Sequence, residues 1–483
     1  MKSDDVKRFL DISIALTSER DREALLSSIL DTAMDIADCD AGTLYLLEGN
    51  ALRFCRMVTR SMGVRQGGHD APITLPPVPM EEKYVSAWCA IHAETINVAD
   101  VRTEPRFDFS GSIRYDNMTG YRTKSMLVVP MRNDRGELIG VTQLINAQNE
   151  AGETVPFPED AVLLIEAVSS QAAISITNMK YSQEITLLLD SLVSALSTAI
   201  DERTPYNANH TRNMVKYGTA FLNWLDAGGH PWAFSEEKRR AFLMAVWLHD
   251  VGKLVVPLEV MDKESRLGSK LREVKERLAT IGLLGRIDKL EGRKSGDEYA
   301  FLISDLAAAE ALIEKANRAG FLPDETLAEI EELAARTYTD ESGAVLPWIT
   351  GAERDALSVR KGTLTPAERG IMESHVVVTR KILRDVYFPK TYQNVPRWAA
   401  AHHELLNGRG YPDHLTAEDI PDEVRLLTIL DVFDALTARD RPYKPAMPVE
   451  KALSILHSMV SEGAIDGKIL ELFEKSKAWE AEN

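Results

Sequence analysis

The sequence has 483 residues, too many for one typical hydrophobic core, so two or three domains are expected. A formal net charge of −18 excludes a protein that grips a nucleic-acid backbone through a broad basic face, although metals or a few Arg and Lys can still hold an anionic nucleotide. The three cysteines fall in no CxxC spacing, the polar start Met1–Arg8 leads into no apolar stretch, and no apolar run approaches the roughly 20 residues of a membrane span, so the chain reads as soluble and cytoplasmic, with neither a disulfide framework nor a zinc ribbon.

Residues 4–38 have Phe9, Ile12, Leu16, Leu25, Ile29, Met34 and Ile36 at helical spacing. Thr43–Leu47 reads as a strand, Gly49-Asn50 as a turn and Leu52–Val58 as the return strand, while the Gly- and Pro-rich residues 61–80 read as loop. A second hairpin pairs Ser125–Pro130 with Leu138–Leu144 around the turn Asn133-Asp134-Arg135-Gly136. This order predicts an α+β domain with an antiparallel sheet. Cys55 and Cys89 are better read as core thiols than as redox or haem ligands.

Lys124–Asn146, with Phe157 and a helix at 159–179 behind it, is similar to the last third of a GAF domain, and the resemblance extends over residues 22–178 in element order. It implies a sensory module that binds a small ligand between sheet and covering loops, or a scaffold for dimerisation. Asn146, Phe157 and Asp160 resemble parts of the cyclic-nucleotide signature of some GAF domains, but its Lys is missing and the acidic spacing differs.

From Ala161 to about Asp201 there is almost no helix breaker, and Ile174, Ile176, Tyr181, Ile185, Leu188, Leu189, Leu192, Leu196 and Ile200 form a stripe at near-heptad spacing. This predicts one long connector helix, paired with its copy in a homodimer; the alternative is a helix packed on its own domain. The domains are therefore drawn at 1–178, 179–204 for the connector, and 205–483 for a helical domain that begins near Thr204-Pro205.

In that domain His249-Asp250, within Leu248–Lys253, sets an imidazole beside a carboxylate able to bridge two cations. Alone the pair means little. With His210, His375, His402-His403 and Asp431 it points to a metal site. A lone His such as His375 on a helix face is more often a core residue, but Asp431 sits among apolar residues, where a carboxylate costs several kcal/mol unless paired or metal-bound. Thr365-Pro366-Ala367-Glu368 reads as a capped helix start. Residues 264–361 offer no ligand histidine and read as helices around Arg266–Arg277, Asp305–Arg318 and Asp324–Arg336; they form a helical insertion serving as lid, partner surface, dimer contact or structural decoration.

Residues 205–263 and 362–473 resemble the HD-GYP family of cyclic di-GMP phosphodiesterases, within the HD superfamily of metal-dependent phosphohydrolases. The motifs are HDVGK at 249–253, KGTLT at 361–365, IMESH at 371–375, HHE at 402–404, GYP at 410–412, DVFDALT at 431–437 and RPYK at 441–444. The resemblance implies that His210, His249, Asp250, His375, His402, His403 and Asp431 hold two divalent metal ions, Fe or Mn by donor type, with Asp250 bridging. It gives Asp250 and Lys253 catalytic roles and makes Lys253, Tyr411, Arg441 and Tyr443 substrate contacts. It also implies a cyclic dinucleotide substrate and a GGDEF-type partner at the GYP loop. Three departures stand out. Tyr206 occupies the place of the Glu that accompanies a third metal; the stretch between Asp431 and Arg441 is one residue longer than usual; and the insertion separates HDVGK from KGTLT. The expected reaction opens cyclic di-GMP to linear pGpG and on to GMP. The rival readings are hydrolysis of another cyclic or linear nucleotide, and a catalytically silent nucleotide- or partner-binding regulator.

Overall fold

A computed structural model describes residues 13–19, 21–203, 209–438 and 446–481. The start of the second domain at Thr204-Pro205, the departure at Tyr206 and the substrate contacts Arg441 and Tyr443 lie outside the described residues. The chain divides into two compact units, Met1–Leu188 and Leu189–Asn483.

In the first unit the helical pattern of residues 4–38 is interrupted: residues 13–18 are helical, and α1 (Arg22–Ala37) follows as a separate helix. The break lies at Asp21, whose extended backbone (φ −85°, ψ 122°) lets its carboxylate accept the Ala24 amide at 2.7 Å. Such an N-cap starts a helix and cannot sit inside one. Strands β1 (Cys39–Glu48), β2 (Ala51–Thr59), β3 (Val64–Gln66) and β4 (Val78–Pro79) come next, then α2 (Val85–His92), β5 (Ile96–Val98), α3 (Ser110–Thr119), β6 (Met126–Arg132), β7 (Leu138–Gln148) and β8 (Thr154–Val155). All pairs are antiparallel, in the order β3-β2-β1-β7-β6-β5, with β4 on β2 and β8 on β7. The stretch read as loop thus supplies β3 and β4, two or three residues each, too short for an alternating pattern to appear.

Register decides which face each side chain covers. Leu44 and Leu46 of β1 pack with Leu25, Leu26 and Ile29 of α1 and with Val168 and Ala172, while Tyr45 packs on the opposite face with Val85, Cys89 and Val141. Both faces are covered, so β1 is buried along most of its length. The thiols of Cys39 and Cys89 are buried and Cys55 is half-buried; burial pushes Cys39 up to about 12 and raises the other two. None has the depressed pKa of a reactive thiolate.

Helix α4 (Glu159–Asp201) is 43 residues long, and the boundary between the units falls within it. Ile165, Val168, Ala172 and Ala173 are buried, as is Ile200, whereas Ile185, Leu188, Leu189, Leu192 and Leu196 are exposed. By length and composition alone α4 could cross a membrane. Its early turns are instead part of the sheet unit's core, and Lys180 and Glu184 lie on its exposed side.

The second unit contains α5 (His210–Ala227), α6 (Glu236–Leu248), a 3₁₀ turn (Val251–Val255) and α7 (Leu258–Met261). The insertion contributes α8 (Lys270–Leu290), α9 (Gly296–Arg318), α10 (Asp324–Ala334), β9 (Thr337–Thr339), β10 (Val345–Pro347) and α11 (Gly351–Leu357). The main helical body resumes with α12 (Pro366–Arg384), α13 (Val395–Ala399), α14 (Asp422–Thr437), α15 (Val449–Ser461) and α16 (Gly467–Ser476). The insertion has an apolar cluster of its own, including Leu278, Ile281, Ile313, Ile330 and Leu357, distinct from the cluster of Phe221, Phe242, Leu430 and Phe473 in the main body. One detail lies beyond the helical pattern: β9 and β10 pair as a small hairpin, whose turn is tied by Asp340 accepting the Ser342 and Ala344 amides at 2.9 Å. At Thr365 the expected capping box is present: Oγ1 accepts the Glu368 amide at 3.3 Å and the Glu368 carboxylate accepts the Thr365 amide at 2.9 Å.

Candidate metal centre

Seven of the residues picked from sequence converge in the second unit. His210 is the first residue of α5, His249 caps the end of α6 and Asp250 opens the 3₁₀ turn. His375 lies mid-way along α12, His402 and His403 follow α13, and Asp431 is on α14. Three groups have ligand atoms all within 4.8 Å of one another: His210, His249 and Asp431; His249, Asp250 and His402; and His375, His402 and His403.

The two oxygens of Asp250 face different nitrogens. Oδ2 lies 3.1 Å from His249 Nε2 and 3.7 Å from His210 Nε2, while Oδ1 lies 3.3 Å from His375 Nε2 and 3.8 Å from His402 Nε2. Asp431 faces His210 Nε2 through Oδ1 at 3.3 Å and His403 Nδ1 through Oδ2 at 3.5 Å. Lys253 Nζ sits at 2.6 Å from Asp250 Oδ2.

Ring orientations follow from the backbone. His249, His375 and His402 each set Nδ1 at 2.7 Å from a carbonyl three residues earlier, of Val246, Met372 and Ala399. A carbonyl only accepts, so Nδ1 carries the proton and Nε2 presents a lone pair to the centre. His375 Nε2 and His402 Nε2 consequently meet lone pair to lone pair at 3.4 Å, and His249 Nε2 and Asp250 Oδ1 are buried with no hydrogen-bond partner among the described residues. Acceptors crowded in a buried site repel unless a cation lies among them, so the donor set fits divalent ions. Imidazole with carboxylate suits Fe, Mn, Zn or Ni.

The charge states of His402 and His403 agree. Burial, helped by His403 and His249, holds His402 well below the usual imidazole range, and burial lowers His403 to about 4 against the pull of Asp431, leaving both neutral and able to ligate. Burial opposes ionisation of Asp250, yet its neighbours His249 and Lys253 outweigh it and keep the carboxyl well below the usual range; His210 does the same for Asp431. For His210, burial is outweighed by Asp431 and Asp434, which raise it to about 10, so without a cation the ring is protonated, and ligation by Nε2 requires loss of that proton.

Several supporting residues escaped the sequence reading. Asp434 accepts from His210 Nδ1 at 2.7 Å and is fully buried; its place one turn after Asp431 in DVFDALT was the available signal. Thr379, one turn after His375, donates to the His249 carbonyl and accepts the Gly252 amide, both at 3.0 Å. Thr428 donates to the His402 carbonyl at 2.8 Å. Close packing also explains two glycines: a Cβ on Gly252 would lie 1.9 Å from the His375 carbonyl oxygen, and one on Gly410 would lie 2.3 Å from the Leu405 nitrogen. The GYP loop is fastened by Glu404, which accepts the Asp413 and Leu415 amides at 2.7 and 2.9 Å, and it places the Tyr411 ring 4.8 Å from that of His403.

The first unit has a cavity of about 480 Å³ between its sheet and the covering segments, with Tyr45, Phe54, Tyr84, Phe109 and Tyr121 in its walls. Asn146, Phe157 and Asp160 do not line it. Asn146 instead ties the chain down, accepting the Lys124 amide at 2.8 Å and donating to the Arg122 carbonyl at 2.8 Å; Phe157 is core, and Asp160 is exposed at the start of α4.

Comparison with known proteins agrees with both units. Residues 21–176 match the family model for the GAF domain and residues 354–469 that for the HD domain. The HD match begins late in the insertion, so it includes His375, His402, His403 and Asp431; tertiary structure joins His210, His249 and Asp250 to them. The chain is 36% identical over 122 residues to the 3'3'-cGAMP-specific phosphodiesterase 3 of Vibrio cholerae, covering 25% of each chain. It is 30% identical over 203 residues to the cyclic di-GMP phosphodiesterase response regulator RpfG of Xanthomonas campestris, covering 42% of this chain and 49% of that one. With the cyclic di-GMP phosphodiesterase of Thermotoga maritima it shares 35% identity over 105 residues, 22% of this chain and 28% of the relative. The chain thus spans between a quarter and a half of the length of these curated relatives. The chain has a GAF domain followed by an HD domain and is similar, over part of its length, to phosphodiesterases named for cyclic dinucleotides.

Proposed function

We propose that the chain is a metal-dependent phosphodiesterase that hydrolyses cyclic di-GMP to linear pGpG and on to GMP. The observation that carries this reading is Asp250, whose two buried oxygens face separate pairs of imidazoles. In this reading His210, His249, Asp250, His375, His402, His403 and Asp431 would hold two divalent ions, Fe or Mn, and Asp250 would serve both. Such ions, when bound, stabilise the attacking and leaving oxygens of an in-line displacement at phosphorus. Lys253, whose side chain is 18% exposed, carries its positive charge to the substrate phosphate. Tyr411 offers an aromatic face beside His403, the ligand most open to solvent. One phosphodiester P–O bond breaks, and the oxygen of water takes the place of the departing hydroxyl. Arg441 and Tyr443 complete the substrate contacts by resemblance.

The substrate class rests on the relatives, and 3'3'-cGAMP is the second reading because the chain also resembles a phosphodiesterase specific for it. The GAF unit, with its aromatic-walled cavity, is the sensor for a small ligand. Helix α4 pairs with its copy in a homodimer through Ile185, Leu188, Leu192 and Leu196. The GYP loop, where Arg409 and Asp413 are exposed, receives a GGDEF-type partner. The setting is the cytoplasm.

The test is metal analysis of anaerobically purified protein together with cleavage assays on both cyclic dinucleotides, for wild type and His249→Ala. Two metals per chain with cleavage of cyclic di-GMP, both lost in the variant, are expected. Cleavage of 3'3'-cGAMP alone selects the second reading; two metals with no cleavage of either keeps the site and discards both substrates.

A further inference from the structure

The last turn of α4 lies against the segments that carry the metal ligands. Leu189, Leu192 and Leu196 are exposed, but Ser197, Ile200 and Asp201 are buried, with Ile200 in the apolar cluster of the main helical body. Asp201 is the final residue of α4, and Arg203 follows it in a turn.

A carboxylate at the C-terminal end of a helix meets the negative end of that helix's dipole, and burial adds to the cost of its charge. Asp201, at 5% exposure, bears both costs. Its two oxygens are spent on one residue of the next helix. Oδ2 accepts the Thr211 amide at 3.1 Å and Oδ1 accepts the Thr211 hydroxyl at 3.0 Å, and both bonds are buried. Thr211 is the second residue of α5, directly after His210. The first amides of a helix have no partner within it, and Asn209, in the capping position of α5, makes no side-chain capping bond. Asp201 therefore caps α5 from the helix before it.

That cap bears on His210. The His210 ring is turned by Asp434 at Nδ1, and its Nε2 lies 3.3 Å from Asp431 Oδ1 and 3.7 Å from Asp250 Oδ2. Where the ring stands depends on the first turn of α5, which Asp201 holds. Arg203 reaches the other side of the centre. Its Nη1 donates to the Lys253 carbonyl, which also accepts the Val256 amide at 3.1 Å within the 3₁₀ turn that Asp250 opens. Neighbouring side chains at the end of α4 thus grip both segments that bring His210 and Asp250 together.

We propose that Asp201 and Arg203 are positioning residues of the metal centre. Through Thr211 and the Lys253 carbonyl they fix the spacing between His210 and Asp250, and with it the affinity of the ion that His210 would ligate. The end of α4 is then a working part of the centre. This inference rests on the metal-centre reading above and is independent of which nucleotide is cleaved.

The test is chelator-competition titration of the full chain with Mn²⁺, alongside thermal melts. The variants are Asp201→Ala, Thr211→Val, Thr211→Ser, Arg203→Met and Arg203→Lys. Wild type is expected to bind two ions. Asp201→Ala and Arg203→Met should each weaken one of them roughly tenfold or more, as loss of an outer partner of a metal ligand does, and leave the other within about twofold. Thr211→Val keeps the side-chain shape and the backbone amide but lacks the hydroxyl, so it should weaken the same ion, and it decides the matter if Asp201→Ala does not fold. Thr211→Ser and Arg203→Lys, which keep a donor, should stay closer to wild type than Thr211→Val and Arg203→Met. A role in stability alone would lower the melting temperature and leave the affinity of the folded chain unchanged; that result overturns the proposal, as does equal loss in the conservative variants. Wild type that binds no Mn²⁺ overturns the metal-centre reading itself, and this inference with it.

Discussion

Asp434 shows how far a metal site reaches past its ligands. Its carboxylate takes the Nδ1 hydrogen of His210 at 2.7 Å and so turns Nε2 toward the centre. Replacing such an orienting partner usually lowers metal affinity about 10–100-fold. Asp434→Asn is therefore expected to weaken metal binding by that factor while its melting temperature stays near wild type, as chelator competition and calorimetry would measure; unchanged affinity would remove Asp434 from the assignment. Gly252 is held to a stricter condition, since a Cβ there would meet the His375 carbonyl oxygen at 1.9 Å and the Thr379 nitrogen at 2.6 Å. Both contacts are backbone and cannot rotate away, so Gly252→Ala should cost about 1–3 kcal/mol. It should also displace Asp250, and the test is loss of bound metal together with a lowered denaturant midpoint.

Among the elements, the insertion behaves as a helical subdomain with a buried ion pair of its own. Arg277 Nη1 and Nη2 donate to the two oxygens of Glu353 at 2.6 and 3.0 Å, and Glu353 is 3% exposed. Burial opposes ionisation of Glu353, but Arg277 and the Thr350 amide outweigh it and lower the carboxyl below its ordinary value. A lowered folded-state pKa means the unfolded chain binds more protons as pH falls, so this pair stabilises the insertion above the usual carboxylate pKa of about 4.3. That contribution is lost as pH drops through the folded value. Protection factors in α8 and α11, taken relative to the intrinsic exchange rate at each pH, should therefore fall as acid is added, and Glu353→Gln should flatten the dependence. Helix α4 offers a second element-scale prediction. Leu188 and Leu192 are 59% and 58% exposed on its apolar stripe, and a buried carboxylate would be costly in a helix pair. Leu188→Asp with Leu192→Asp should turn the proposed dimer into a monomer by sedimentation, and an unchanged mass would dismiss the pairing.

At the scale of the molecule, every residue assigned to the metals falls in the unit Leu189–Asn483, as does the apolar cluster that supports them. A fragment starting at Lys180 should consequently bind the same number of metals as the full chain, measured by elemental analysis. Its turnover should lose any response to ligands of the first unit, whose cavity is removed with it. A fragment that folds but binds no metal would show that the GAF unit is needed to build the centre.

The sequence by itself determined the parts whose signal is local. The segment Thr43–Leu47 before the Gly49-Asn50 turn marked a strand, Thr365 with Glu368 marked a helix start, and the unbroken stripe to Ile200 marked a long helix. The metal candidates were legible because HDVGK, HHE and DVFDALT put several ligand-type residues in few positions, and because a carboxylate among apolar neighbours, such as Asp431, needs a partner. What only the tertiary structure decided depends on contacts between distant segments. The split of Asp250 between two histidine pairs needs α5, α6, α12, α13 and α14 to meet, and no spacing in the chain encodes that meeting. The short strand β4 and the roles of Thr379 and Thr428 were hidden for the same reason: each is defined by a partner from 26 to 130 residues away.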